Sequence, residues 1–315
     1  MKKRMCAIAA IGAALGGGHF AAHATEGGVG RPITGQQVFS NAGIVPPEPG
    51  WVAQFSSIYY KGDMGGNRAV PIVGNVGAGI DMKVSYNIAN LTRVWGTGPG
   101  GWSYASAIGL PLQYTKVQTS LTTVRRDIGN SDDSTQFADM LFTPIAAGYH
   151  FSKTEHLSLS LPIYAPTGSY DPNRLANAGQ NVWTFMPTVA YTRLDGKGGE
   201  FSVLSALEFY TRNNDTDYKS GTLFRIDALW TVGLKNGWSV GAVGGWIEQI
   251  SDDSSPLADR VGGFRGSAFG IGPVVNWGGK LGNLPGSFSA RWVPDWTTDN
   301  RPKGNGFSLS FVLQF

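Results

Sequence analysis

The sequence predicts an all-β chain: a transmembrane antiparallel up-and-down β-barrel of about twelve strands. Three observations point to it. Apolar residues recur with period two over segments of ten residues or more, the pattern of a strand with two unlike faces. The connections between these segments alternate long and short, as they do in barrels with short inner turns and long outer loops. The first residues read as an export signal.

That signal, "MKKRMCAIAAIGAALGGGHFAAHA", opens with Lys2, Lys3 and Arg4, continues as a short apolar run, and ends in Ala22-His23-Ala24. The run is too short to span a bilayer, which takes about 20 apolar residues. Residues 1–24 are therefore expected to be a leader cleaved after Ala24. Its removal leaves 291 residues and takes three cations with it, so 22 Lys+Arg balance 22 Asp+Glu. The basic excess is a targeting feature and carries no argument for nucleic acid. Cys6, the sole cysteine, leaves as well, which excludes disulfides and thiol chemistry in the exported chain.

Residues 25–50 come next. They are rich in Gly and Pro and show no periodicity, and two readings fit: an ordered plug of the lumen or a flexible periplasmic segment. Val38, Phe39, Ile44 and Val45 are the candidate plug residues. The barrel then occupies residues 51–315, from "WVAQFSSIYY" to "GFSLSFVLQF". In the final strand Phe307, Leu309, Phe311, Leu313 and Phe315 share a face that is expected to meet lipid. The terminal Phe315 resembles the signal by which barrel-assembly machinery recognises its clients, and this last strand is expected to pair with residues 51–60.

Between these ends, short connections ("WGTGPGG", "SKTE", "DGKGG", "KNG") alternate with long ones such as "KGDMGGNRAVPIVGN", "PTGSYDPNRLANAGQN" and "SDDSSPLADRVGGF". Aromatic residues near strand ends suit interfacial girdles. Charges that share a face with small polar residues suit a hydrated lumen, because a charge on the lipid face near mid-membrane costs about 2–4 kcal/mol. On this pattern Asp81, Lys83, Glu208, Tyr210, Arg212, Arg225, Asp227, Glu248 and Arg291 are the candidate lumen residues, whether for selectivity or for filling the interior. Pro111, Pro144, Pro162 and Pro187 fall inside strands and mark bulges or breaks in the ladder.

Several separated stretches carry a resemblance: "ATEGG" at 24–28, "APTGSYDP" at 165–172, "GQNVWTFMPTVAYT" at 179–192, "NNDTDYKSG" at 213–221 and "GIGPVV" at 270–275. Together they resemble the family named for the meta-pathway of phenol degradation. The resemblance implies an outer-membrane protein that transports small hydrophobic or aromatic compounds, with lipid as its surroundings and no cofactor.

Other functions fit less of the sequence. A structural or adhesive barrel would use the long loops. An outer-membrane hydrolase would need a base beside a nucleophile. The only histidines after the leader, His150 and His156, flank the periplasmic "SKTE" turn, away from the outer leaflet. "SDDS" occurs at 131–134 and 251–254, but neither copy has the spacing or closing Glu of a calcium loop, so no metal is assigned.

Overall fold

The computed structural model describes residues 31–72, 75–122, 127–260 and 262–315. The expected leader, its cleavage site and the "ATEGG" stretch lie outside the described residues.

Fifteen strand segments form one sheet. In chain order they are β1 Gly50–Ile72, β2 Asn75–Thr97, β3 Trp102–Thr122, β4 Asp127–Phe137, β5 Leu141–His150, β6 Glu155–Ser160, β7 Ile163–Tyr164, β8 Thr184–Phe185, β9 Thr188–Leu194, β10 Glu200–Tyr210, β11 Leu223–Gly233, β12 Trp238–Gln249, β13 Ser267–Leu281, β14 Leu284–Asp299 and β15 Lys303–Gln314. Three pairs of segments, β4 with β5, β6 with β7 and β8 with β9, each make one stave, so the wall has twelve. All neighbours are antiparallel, and β1 pairs with β15 from Val52↔Gln314 to Asp63↔Lys303. At the lower rim Trp51 N–H donates to the Phe315 carbonyl at 2.7 Å, and Phe315 N–H donates back at 2.9 Å. Closure leaves no edge, which lipid requires because it offers backbone groups no partner.

The strand faces sort as a membrane barrel demands. On β15, Phe307, Leu309 and Phe311 are exposed, whereas Ser308 and Ser310 are buried inside. Trp51, Trp95, Phe151, Trp238 and Phe315 ring the end that carries the tight turns, and Tyr59, Trp183, Trp246, Trp292 and Phe307 ring the other. These are the two interfacial belts. Arg93 lies over Trp51 and Trp95 of the lower belt, 5.2 and 5.6 Å from their ring centroids.

Two expected long loops are mostly strand. β1 and β2 continue as a hairpin to Ile72↔Asn75, and β3 and β4 to Thr122↔Asp127, well above the belt that contains Tyr59. There the strands meet water outside and packed protein inside, and the pattern inverts. Tyr60, Met64, Ile80, Met82 and Val117 turn inward and pack with Leu175, Ala176 and Phe264 from the loops at 165–183 and 250–266. Asp81 and Lys83 consequently face outward, which corrects the expectation that they line the lumen. Glu248 is corrected as well: it shares the outward face of β12 with Val240 and Trp246, while Val243, Ile247 and Gln249 take the inside.

The first "SDDS" is strand rather than loop tip. Asp132 accepts two hydrogen bonds from Arg174, at 2.7 and 3.2 Å, and one from Ala176 N–H at 3.0 Å, which ties the 165–183 loop down. In the second copy, buried Asp253 accepts from Tyr218, Gly221 N–H and Gln249. Burial pushes its carboxyl above the usual carboxylate range despite these donors.

Three of the four prolines interrupt pairing, while Pro111 stays in the β2–β3 ladder opposite Ile88. Pro162 and Pro187 separate β6 from β7 and β8 from β9, and Pro144 lies beside the register shift between β3 and β5. Pairing resumes above them, with Leu141↔Tyr164 and Tyr164↔Thr184, so the wall stays continuous.

Removing Phe315 is expected to cost the two closing hydrogen bonds, together about 1–3 kcal/mol, and to lower the folded, heat-modifiable fraction on a denaturing gel. An unchanged folded fraction would contradict the closure described.

Candidate functional site

Residues 31–49 run beside side chains of the wall, from Asp139 and Thr184 to Thr97 near the lower rim. Each step meets an inward side chain. Arg31 pairs with Asp139, donates to Thr184 Oγ1 and lies 4.3 Å from the Tyr164 ring centroid. The Pro32 carbonyl accepts from Arg301 at 2.8 Å. Asp227 of β11 accepts from Gly35 N–H at 3.3 Å and Gln37 N–H at 2.8 Å. Arg291 of β14 donates to the carbonyls of Val38, at 2.6 Å, and Gly35, at 3.2 Å. Asn41 N–H reaches Glu200 at 2.9 Å, and Gly43 N–H reaches Thr192 Oγ1 at 2.9 Å. The Val45 carbonyl lies 3.1 Å from His150 Nε2, and the Pro47 carbonyl accepts from Thr97 at 3.3 Å.

An unpatterned segment has no ladder of its own, so its backbone groups need partners, and the inward charges supply them. Val38 is fully buried in an apolar cluster with Leu229, Val243, Val274 and Val293. Two glycines make the close approach feasible. A Cβ at Gly245 would fall 2.0 Å from Asp227 Oδ1 and 2.6 Å from Gly35 N, and one at Gly43 would fall 2.6 Å from Thr192 N.

Of the sequence candidates, Glu208, Tyr210, Arg225, Asp227 and Arg291 are buried and inward. Arg225 Nε stands 2.8 Å from Glu208 Oε1, close enough to pair electrostatically although its N–H is not aimed at that oxygen. Tyr210 donates to Glu208 at 2.6 Å. Arg212 does not join them; it sits at the outer rim, pairing with Asp217 at 2.8 Å. Among the candidate plug residues Val38 and Val45 are buried, and Phe39 lies 5.9 Å from the Arg291 guanidinium, measured to the ring centroid. Ile44 is half-buried near the lower rim.

Asp139, Glu200, Thr192 and Arg301 were missed from sequence. Arg31 offered a signal, being the sole cation among residues 25–50. His150 and His156 face each other with Nδ1 atoms 2.7 Å apart, and His150 also meets Val45, so the pair supports the segment. Among the described residues no group of three or more His, Cys, Asp or Glu side chains is placed to hold a metal.

Two cavities flank the segment. The outer one, of about 110 Å³, is lined by Ile33, Ile58, Met82, Val84, Tyr86 and Tyr164, by Gln113, Thr115, Asn177 and Gln180, and by the Arg31–Asp139 ion pair. The lower one, of about 350 Å³, is lined by Ser40, Asn41, Ser239, Asn276, Ser289 and Ser310 together with Phe39, Leu194, Trp277, Phe288 and Val312. Gln37 borders the first and Phe39 the second, so residues 37–39 stand between them.

The family model for the MetA-pathway of phenol degradation matches residues 61–311. The chain belongs to this family. Among solved structures, an outer membrane channel from Pseudomonas putida F1 is similar with a TM-score of 0.69 at 15% identity, over 89% of this chain and 100% of that one. This likeness establishes the fold as a closed barrel of the outer-membrane type. The β domain of the Bordetella autotransporter BrkA matches more loosely, at a TM-score of 0.48 and 14% identity, over 84% of this chain and 100% of that one. A FadL homologue from Pseudomonas aeruginosa reaches 0.41 at 9% identity, over 95% of this chain and 99% of that one. Among curated proteins no sequence relative is found.

Arg291→Ala leaves the Val38 and Gly35 carbonyls without their charged donor, a loss of about 1.5–3 kcal/mol per bond. In a chain lacking Cys6 and carrying Val38→Cys, it is expected to speed labelling by a small thiol reagent at least tenfold, and unchanged labelling would show that Arg291 does not hold the segment.

Proposed function

We propose that the protein is a passive outer-membrane channel for small hydrophobic or aromatic compounds, with residues 31–49 as a plug that narrows its lumen. The outer cavity carries this reading. A porin lumen is polar, yet here Ile58, Met82 and Val84 turn inward beside Tyr86 and Tyr164. Its volume, about 110 Å³, is somewhat below the ~150 Å³ of an engineered cavity that binds benzene. Apolar and tyrosine side chains beside amides and the Arg31–Asp139 pair fit a compact ring bearing a polar group. Such a solute would bind there, pass residues 37–39, and leave through the lower cavity.

The solved channel from Pseudomonas putida F1 lends support at the level of architecture, and the family's name points to aromatic compounds. The inward charges serve this role by holding the plug, so transport needs no catalytic group.

Val84→Asp adds a second carboxylate to a cavity whose lining cation, Arg31, is already paired with Asp139, so its burial is expensive. In cells whose uptake depends on this protein, it is expected to reduce phenol uptake roughly tenfold or more while leaving barrel yield unchanged, and Val84→Ile is expected to preserve uptake. Equal uptake by Val84→Asp and the parent chain would rule out this cavity as the route.

A further inference from the structure

The outer surface of the wall carries a second feature. Lys61 of β1 stands directly opposite Lys83 of β2, and Lys83 opposite Lys116 of β3, so three ammonium groups lie side by side across neighbouring strands. All three have outward parity, because the adjacent Tyr60, Met82 and Val117 are buried inside. Asp133 follows Lys116 on β4, but among the described residues no carboxylate forms an ion pair with any of the three lysines. Like charges directly opposite one another destabilise a sheet. The arrangement calls for an anion.

The depth of the row identifies its surroundings. One outward position toward the membrane come Tyr59, Ser85 and Tyr114. Tyr59 faces Phe307, which stacks on Trp292 with ring centroids 6.0 Å apart. That is the outer aromatic belt, so the lysines sit just above it, at the level of lipid head groups. Below them the lipid-facing surface is unexpectedly polar. Ser57 Oγ donates to Asn87 Oδ1 at 2.7 Å, and Asn87 Nδ2 donates to Ser85 Oγ at 3.2 Å. The matching outward position on β15, opposite Ser57, is Leu309. Lipid tails alone would favour an apolar surface here. One row further from the membrane, Asp63 and Asp81 stand beside Lys303 and confine an anion to the lysine row.

We propose that this face binds a phosphorylated glycolipid of the outer leaflet. A phosphate sits against Lys83 and a flanking lysine, and sugar hydroxyl or amide groups meet Ser57, Asn87 and Ser85. The site lies outside the barrel and does not depend on what passes through it.

The full-length barrel in zwitterionic detergent is titrated with purified lipopolysaccharide, with the same lipid after removal of its phosphates, and with phosphatidylglycerol. The parent chain is expected to bind phosphorylated lipopolysaccharide at least tenfold more tightly than either other lipid, with affinity falling as salt rises. Lys61→Gln, Lys83→Gln and Lys116→Gln together are expected to remove that preference, at about 5-fold in affinity per lysine. Lys235→Gln with Lys280→Gln, at the opposite end, is expected to preserve it. Without lipid the triple variant is expected to melt at the same or a higher temperature, since it relieves repulsion, so lost binding cannot be assigned to misfolding. Unchanged binding by the triple variant, or equal binding of phosphatidylglycerol, overturns the proposal.

Discussion

Every backbone polar group that a chain places in hydrocarbon must find its partner within the protein, and this constraint governs the whole molecule. It forces the sheet to close through β1 and β15, down to the exchange between Trp51 and Phe315 at the rim. A closed sheet of twelve staves leaves an interior wider than an eight-stranded barrel, which side chains can fill. The same constraint then applies to whatever enters that interior. Residues 31–49 have no ladder, so Asp227, Arg291, Glu200, Thr192 and Arg301 supply the hydrogen bonds that water would otherwise provide. Asp227, Arg291, Glu200 and Arg301 each meet a backbone group of this segment, whereas Glu208 and Arg225 meet each other.

One cavity lies on each side of residues 37–39. Above residues 37–39 Ile58, Met82 and Val84 share the walls with the Arg31–Asp139 pair, beneath loops that Asp132 and Asp253 tie down. Below them serines and asparagines share the walls with Leu194, Trp277, Phe288 and Val312. The outside of the wall is organised by depth in the same way: aromatic belts bound the apolar band, and the charges of β1–β4 begin immediately above the upper belt.

The architecture was legible in the sequence because it rests on period two and on alternating turn lengths, both local signals. β10, β11 and β14 could be assigned correctly: Arg225 and Asp227 alternate with Phe224, Ile226 and Trp230, and only lipid and lumen compete for the two faces. β2 could not. In "GIDMKVSYNI" the apolar set Ile80, Met82 and Val84 resembles a lipid face, but the strand has already left the bilayer, and its apolar side packs on Leu175 and Phe264 within. Period two reveals that the faces differ, while the depth of the strand decides which is inside. Glu248 failed for a related reason, since a single charge at the outer end of β12 need not share the lumen with its neighbours on β11. The path of residues 31–49 was not legible either, because its contacts span up to 269 residues of sequence and leave no periodic trace.

The central claim is that residues 31–49, held by inward charges, set the width of the lumen. Single-channel conductance in a planar bilayer tests it most directly, comparing the full chain with one lacking residues 31–45. The account predicts a small conductance for the full chain and a steady conductance several-fold larger for the deletion, with both proteins equally folded by circular dichroism. Equal conductances would contradict it.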